Sequence, residues 1–250
     1  MKPFLPLVFA SLLAAPAFAA PAPASQGSFS PAQRAEIVQI MRNALRSDPS
    51  ILRDALVALR ADAAAQQARQ DTDLVRANRA ALFANPTDPV LGNPHGKITI
   101  VEFFDVRCPY CRRMRPAIDS LIAHNPDLRI VMKDLPILGP ASVLGAKALL
   151  AARSEGGYAA MQNALMREGV TIDTATLKQA ASQAGLAWPR LQQAMAAPAI
   201  EQKIDQNLQL AGKLGLHGTP ALIFGDRIVP GALDPHDLQE LVNALRAATG

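Results

Sequence analysis

The chain has no third cysteine. Cys108 and Cys111 are the only two in 250 residues, so no structural bridge competes for them. A disulfide between residues three apart closes a tiny loop and removes little unfolded-chain entropy. A purely stabilising staple is therefore a weak reading of the pair. Zinc is a weak one too. A closed tetrahedral site takes four ligands, and the four histidines, His95, His124, His217 and His236, lack finger-like spacing. No block of basic residues points to nucleic acid, and no second long apolar run points to a membrane span. There is no internal repeat.

What is present begins with Lys2 and an apolar run to Phe18 that closes on Ala17-Phe18-Ala19. A basic start, a short apolar stretch and a small-x-small end read as a secretory signal peptide, residues 1–19, cleaved after Ala19 or Ala20. The alternative is a membrane anchor, but the run is short and Pro6 and Pro16 interrupt it. Export places the mature chain in an oxidising compartment, a bacterial periplasm for preference. Loss of Lys2 leaves 24 basic and 21 acidic side chains, dispersed along a half-apolar sequence. Roughly 230 residues suffice for one core and an accessory part.

Residues 20–29 are rich in Pro, Ala and Ser and read as a disordered leader. Ser30-Pro31-Ala32-Gln33 then carries a helix start: a capping serine, proline at the first helical position, and glutamine to complete a capping box. Ile37, Ile40, Met41, Ala44 and Leu45 form one apolar face. Asp48-Pro49 breaks this helix and opens a second, expected to run to about Ala84. Its seam, Leu52, Leu56, Leu59 and Ala63, is spaced four, three, four like a short coiled coil. From Ala64 to Asp73 the helix reads as polar nearly all round, the pattern of a bridge between bodies. Two striped helices with no third layer cannot bury themselves. Residues 30–85 are expected to form a helical oligomerisation arm and linker, the alternative being an arm folded back on its own domain. Turn signals over 85–96 mark the boundary to the main domain, 90–250.

In that domain Lys97–Phe104 (KITIVEFF) reads as a buried strand and 109–124 as a helix, with Cys108-Pro109-Tyr110-Cys111 at the corner between them. A redox-active C-x-x-C belongs at such a corner. The helix N-terminus favours negative charge, and cysteine pKa values fall to about 3.5–7.5 in such motifs. Cys108 is the expected nucleophile and Cys111 the resolving thiol. Glu102, alone among apolar strand residues, should have a pKa raised by desolvation; the alternative is a solvent-facing strand residue. Asp105 reads as a loop residue near the site and Lys133 as an edge charge. A strand at 128–133, a helical region at about 142–214, strands at 221–224 and 227–229 and a helix at 234–248 complete the order. Tyr158, Trp188 and the methionines of the helical region read as packing.

A second motif, His217-Gly218-Thr219-Pro220, stands directly before the strand Ala221–Phe224. Val101-Glu102-Phe103-Phe104-Asp105, Cys108-Pro109-Tyr110-Cys111 and Gly218-Thr219-Pro220, in that order, resemble the DsbA family of exported thiol–disulfide oxidoreductases. The resemblance covers about residues 90–250. It implies an α/β thioredoxin fold with an inserted helical domain and a cis bond before Pro220, packed against the Cys108 sulfur. It also makes Glu102 the buried acid that exchanges a proton with Cys111. Thr219 would then present free backbone groups to an extended substrate. His217 could stabilise a thiolate or be an ordinary loop residue.

The helical arm adds a second resemblance, to ScsC-type proteins linked to copper tolerance, some of them trimeric. Together these imply an oligomeric disulfide isomerase or reductase, trimeric for preference. It would act on unfolded or misoxidised exported proteins and be kept reduced by a membrane redox partner. It would need no cofactor beyond its own redox-active cysteines. The alternatives are a dithiol oxidase and, from another class, a Cu(I)-binding protein or a holdase chaperone.

Overall fold

A computed structural model describes residues 29–249 apart from 168 and 170. The expected signal peptide and all but the last residue of the 20–29 leader lie outside the described residues. The chain divides into two units, residues up to Arg60 and from Ala61 onward.

The first unit holds helix α1 (Pro31–Ser47) and the start of α2 (Ser50–Ala77). Ser30 caps α1, and Gln33 returns a hydrogen bond to the Ser30 amide, completing the capping box. Asp48 ends α1 and accepts the Ser50 amide and hydroxyl at 3.0 and 2.6 Å, so one residue closes a helix and opens the next. α1 buries no residue. Ile40, Met41, Leu52 and Leu59 are all more than half exposed.

The second helix stops earlier than expected. It ends at Ala77, and after Asn78 a separate short helix α3 runs Arg79–Phe83. The stretch read as polar all round, 64–73, is exposed at every residue from 64 to 70, and burial begins only at its end. Asp71 and Val75 are buried, and Arg76 pairs with Asp226 at 3.0 Å. The end of α2 therefore belongs to the second unit.

That unit is built on a five-stranded sheet of β1 (Val90–Gly92), β2 (Ile98–Phe104), β3 (Leu128–Asp134), β4 (Ala221–Phe224) and β5 (Arg227–Pro230), in spatial order β1-β3-β2-β4-β5. β2 and β3 run parallel and the remaining pairs antiparallel. β1 is a strand the sequence reading missed; three residues after Pro89 give no alternation to detect. Helix α4 (Pro109–His124) joins β2 to β3, and α10 (Pro235–Thr249) closes the chain. Between β3 and β4 the expected helical region forms, among the described residues, five helices: α5 (Pro140–Arg153), α6 (Tyr158–Leu165), α7 (Thr174–Gln183), α8 (Trp188–Met195) and α9 (Pro198–Lys213).

Both faces of the sheet are covered, which is why β2 is apolar at almost every position. Ile98, Ile100 and Phe104 face one core with Cys108, Cys111, Met114 and Ile118. Val101 and Phe103 face the other, with Val75, Leu82, Leu210 and Leu214. Alternation puts Glu102 on the first face, toward α4. Tyr158 is buried and Trp188 half-buried, each packed in the first core as expected. Lys133, expected as an edge charge, is 1% exposed. β3 lies inside the sheet, so the ammonium is enclosed and must find partners.

Candidate active site

The corner after β2 is tied down before the cysteines arrive. The Asp105 carboxylate accepts the Arg107 amide at 2.8 Å through one oxygen, and the Ile137 and Leu138 amides at 2.9 and 3.1 Å through the other. It thereby holds the loop after β3 beside the loop after β2. Arg107 returns a hydrogen bond to the Leu138 carbonyl at 2.6 Å. Gly145 lets α5 close over this loop: a Cβ there would fall 2.5 Å from Val106 Cγ1.

Cys108 is the N-cap residue of α4, with Pro109 opening the helix. Its amide donates to the Asp105 carbonyl at 2.9 Å, and its carbonyl accepts the Arg112 amide at 3.1 Å. Both cysteines are reduced and buried. The Cys108 thiol donates to the Thr219 carbonyl at 3.2 Å. The Thr219–Pro220 bond is cis, and the Pro220 carbonyl accepts the Gly231 amide at 2.8 Å, so the loop is anchored to the residue after β5.

The two sulfurs differ in acidity. Cys108 is pulled down to about 5, first by the Cys111 thiol beside it. The Thr219 side chain and the amides of Cys111 and Tyr110 also favour the thiolate, against burial. Cys111 is pushed far above the ordinary thiol range, first by burial, then by Cys108 and the charge of Glu102. Glu102 is buried, and desolvation raises it to about 7; Arg115 opposes the shift. An exposed rim surrounds the pair. Tyr110 lies under Arg113, whose guanidinium carbon is 4.5 Å from the ring centre, and Ile137 and Leu138 are each more than two-fifths exposed.

The structure therefore brings together Cys108, Cys111, Pro109, Tyr110, Thr219, Pro220 and Glu102. His217 is exposed and is not among the groups that lower the Cys108 pKa. Asp105 was read only as a neighbour. Its clamp on Ile137 and Leu138 depends on a contact 32 residues away, which local sequence does not announce. Elsewhere, Asp234, His236 and Asp237 bring their possible ligand atoms within 4.8 Å of one another, all exposed; Asp234 accepts the Asp237 amide and serves α10 as a cap.

Residues 99–243 match the DSBA-like thioredoxin domain. The chain belongs to that family. Residues 33–66 match the copper resistance protein ScsC N-terminal domain. A thioredoxin-like oxidoreductase from Silicibacter pomeroyi DSS-3 is 42% identical, covering 68% of this chain and 98% of that one, with a TM-score of 0.65. A linker-deleted variant of Proteus mirabilis ScsC is 27% identical over 90% of this chain and 100% of that one, with a TM-score of 0.66. A periplasmic thioredoxin-like protein from Salmonella enterica serovar Typhimurium is 34% identical over 68% of this chain and 95% of that one, with a TM-score of 0.61. Among curated proteins, the Na(+)/H(+) antiporter NhaA of Herminiimonas arsenicoxydans is 27% identical over 169 residues. The chain spans about a quarter of the length of the curated relatives it matches, 27% in that case. Among the described residues no helix is long and apolar enough to cross a membrane.

Proposed function

We propose that this DsbA-like chain is a periplasmic thiol–disulfide oxidoreductase that reduces and reshuffles disulfides in exported proteins as an assembly of several copies. The observation that carries the reading is the Cys108 sulfur, at a helix N-terminus and 3.2 Å from the backbone of a cis-proline loop. At neutral pH a group with a pKa of about 5 is a thiolate.

The thiolate attacks one sulfur of a substrate disulfide. A Cys108–substrate disulfide forms, and the other substrate sulfur leaves as a thiolate. Extended substrate lies along the Thr219 backbone, adding a short strand. Cys111 then gives its proton to the Glu102 carboxylate and attacks the Cys108 sulfur. The Cys108–Cys111 disulfide closes, the second substrate thiolate departs, and two electrons have passed to the substrate. Alternatively, the first released thiolate attacks a different disulfide of the same client, and the thiolate this frees attacks the Cys108–substrate disulfide, which releases Cys108 and completes a rearrangement with no net electron transfer. The reverse sequence would oxidise a dithiol.

Thiolate acidity bears on direction, because stabilising the reduced form makes a pair more oxidising. Pairs with nucleophile pKa values of about 3.5 and about 7 have potentials near −120 and −270 mV. A value of about 5 favours an intermediate potential, which suits rearrangement better than irreversible oxidation. Several sites on one assembly raise the effective concentration of a captured client for a second site. The exposed apolar stripes of α1 and α2 support such an assembly, as does the likeness to ScsC over residues 33–66. That matched segment contains no cysteine or histidine. Its one soft donor is Met41, so a Cu(I) role would rest chiefly on the thiolates, which are soft enough for it.

Alkylation of reduced protein across pH tests the reading. Half-maximal rate near pH 5, with mixed disulfides trapped by Cys111→Ser, is the expected result. Ordinary thiol ionisation with no trapped adduct overturns it. A potential near −120 mV would assign the oxidase direction instead.

A further inference from the structure

A second cluster lies on the side of the sheet that faces α3 and α9. Asp88, in the loop before β1, is fully enclosed and accepts hydrogen bonds from both Lys133 on β3 and Lys203 on α9. The Lys133 and Lys203 side chains are only 1% and 7% exposed. Two buried ammonium groups therefore share one carboxylate. The other acid at hand does not balance them. Burial raises Asp134 to about 8, so it is mostly protonated at neutral pH, and Tyr158 donates to it.

With both lysines protonated one positive charge is in excess. Lys133 shows it: burial first, and then Lys203, pull it down to about 8 against the pull of Asp88. Donors are left over as well. An ammonium carries three N–H groups. Lys133 uses one on Asp88 and one on the Ala81 carbonyl at 2.6 Å. Among the described residues, Lys203 has a hydrogen bond to Asp88 alone. A buried charge without a counter-charge is strongly unfavourable, so the cluster as it stands is incomplete.

A cavity of about 300 Å³ opens onto this cluster. Lys133, Lys203 and Lys213 line it, together with Asn78, Gln206 and Asn207, and no carboxylate does. We propose that the cavity between α3, β3 and α9 binds a small tetrahedral oxyanion of the phosphate or sulfate type. The anion supplies the missing negative charge and accepts the spare N–H groups of Lys133 and Lys203. Lys213, exposed at the end of α9, closes over it as a point-charge contact. The site is remote from the cysteines in sequence and uses none of the redox residues. It would pin the α2–α3 joint at Asn78 to α9, stabilising the catalytic unit rather than altering its chemistry.

The test is thermal unfolding of the full mature chain in a titration of inorganic phosphate against sodium chloride of equal ionic strength. Binding to the native state raises the melting temperature along a curve that follows occupancy. General stabilisation by kosmotropic anions, which are excluded from the protein surface, gives a rise with no dependence on any one lysine. Calorimetric titration should show one site per chain. Lys213→Gln should weaken phosphate about tenfold, the loss of one charge-assisted contact, and Lys213→Arg should restore it. Lys213 is exposed, so both variants should fold. No heat of binding, or identical phosphate curves for wild type and Lys213→Gln, overturns the proposal.

Discussion

α1 and β2 are both rich in apolar side chains and meet opposite fates. All of α1 stays unburied, with Ile40 61% exposed, whereas β2 buries six of its seven residues and leaves only Thr99 half-buried. The difference is one of layers. β2 has helices over both faces, whereas the stripe on α1 and early α2 lacks a covering layer within one copy of its own unit. Apolar area of that kind is stabilising only once it is removed from water. One region thus carries the redox pair, and the other leaves an apolar stripe exposed. The proposed division of labour, exchange chemistry in one and assembly in the other, can be broken by changing each alone.

The largest effect should come from Cys108→Ser. It removes the only group poised as a thiolate, so dithiol exchange should fall to background while solution mass and melting temperature stay close to wild type. Insulin-type reduction assays and light scattering read these separately. Retained exchange would mean that Cys111 is nucleophilic, contrary to its strongly raised pKa.

Removing residues 20–60 should do the reverse. Mass should fall to that of one chain and reshuffling of scrambled disulfides by about tenfold or more, as multivalent capture is lost. Single-turnover exchange should change by less than about twofold, because covalent transfer needs one site only. The cut must stop at residue 60. A deletion to residue 85 would also strip Val75 and Leu82 from the second core and the Ala81 carbonyl from Lys133. Loss of activity would then report unfolding rather than disassembly. Unchanged mass in the shorter deletion would end the assembly reading.

How far the sequence revealed this arrangement depended on where each signal was stored. β2, α4 and the cysteine corner were legible because their signals are local: an apolar run, a proline at the first helical turn, a spacing of three. The Thr219–Pro220 loop was legible only through resemblance, since nothing in composition marks a cis bond. Lys133 was misread because a strand's position in the sheet is not written in the strand. Its partner Asp88 lies 45 residues before it, and Lys203, which shares that carboxylate, 70 after it. The end of α2 was misread for a related reason. Asp71 and Arg76 look like solvated charges until β5 and its turn bring Asp226 to meet Arg76.

A smaller and more specific effect is expected of Glu102→Gln. Its carboxyl is raised to about 7 by burial, so the folded state holds a proton that the unfolded chain, with a value near 4.5, has lost. Stability from this group is complete below about pH 4.5 and declines as pH rises through 7, by about 3 kcal/mol in all. Glutamine should flatten that slope in reduced protein, as read by urea unfolding at pH 4.5, 6 and 8. It should also slow Cys111 attack on the mixed disulfide by about a hundredfold while leaving Cys108 alkylation little changed. A parallel loss in both steps would make Glu102 a packing residue only.

The smallest effect should be at His217, which sits two residues before Thr219 and so invites a role. Electrostatic influence on Cys108 would need proximity, burial or both. His217 is exposed, and charges in water are screened within about 10 Å at ordinary salt. The groups that set the Cys108 pKa are its neighbours in the motif and Thr219. His217→Ala should therefore move the midpoint of Cys108 alkylation by less than about 0.3 pH units, whereas Thr219→Val should raise it by more. The comparison isolates the loop's hydroxyl from the loop's charge. A shift in the histidine variant that vanishes at high salt would return His217 to the site.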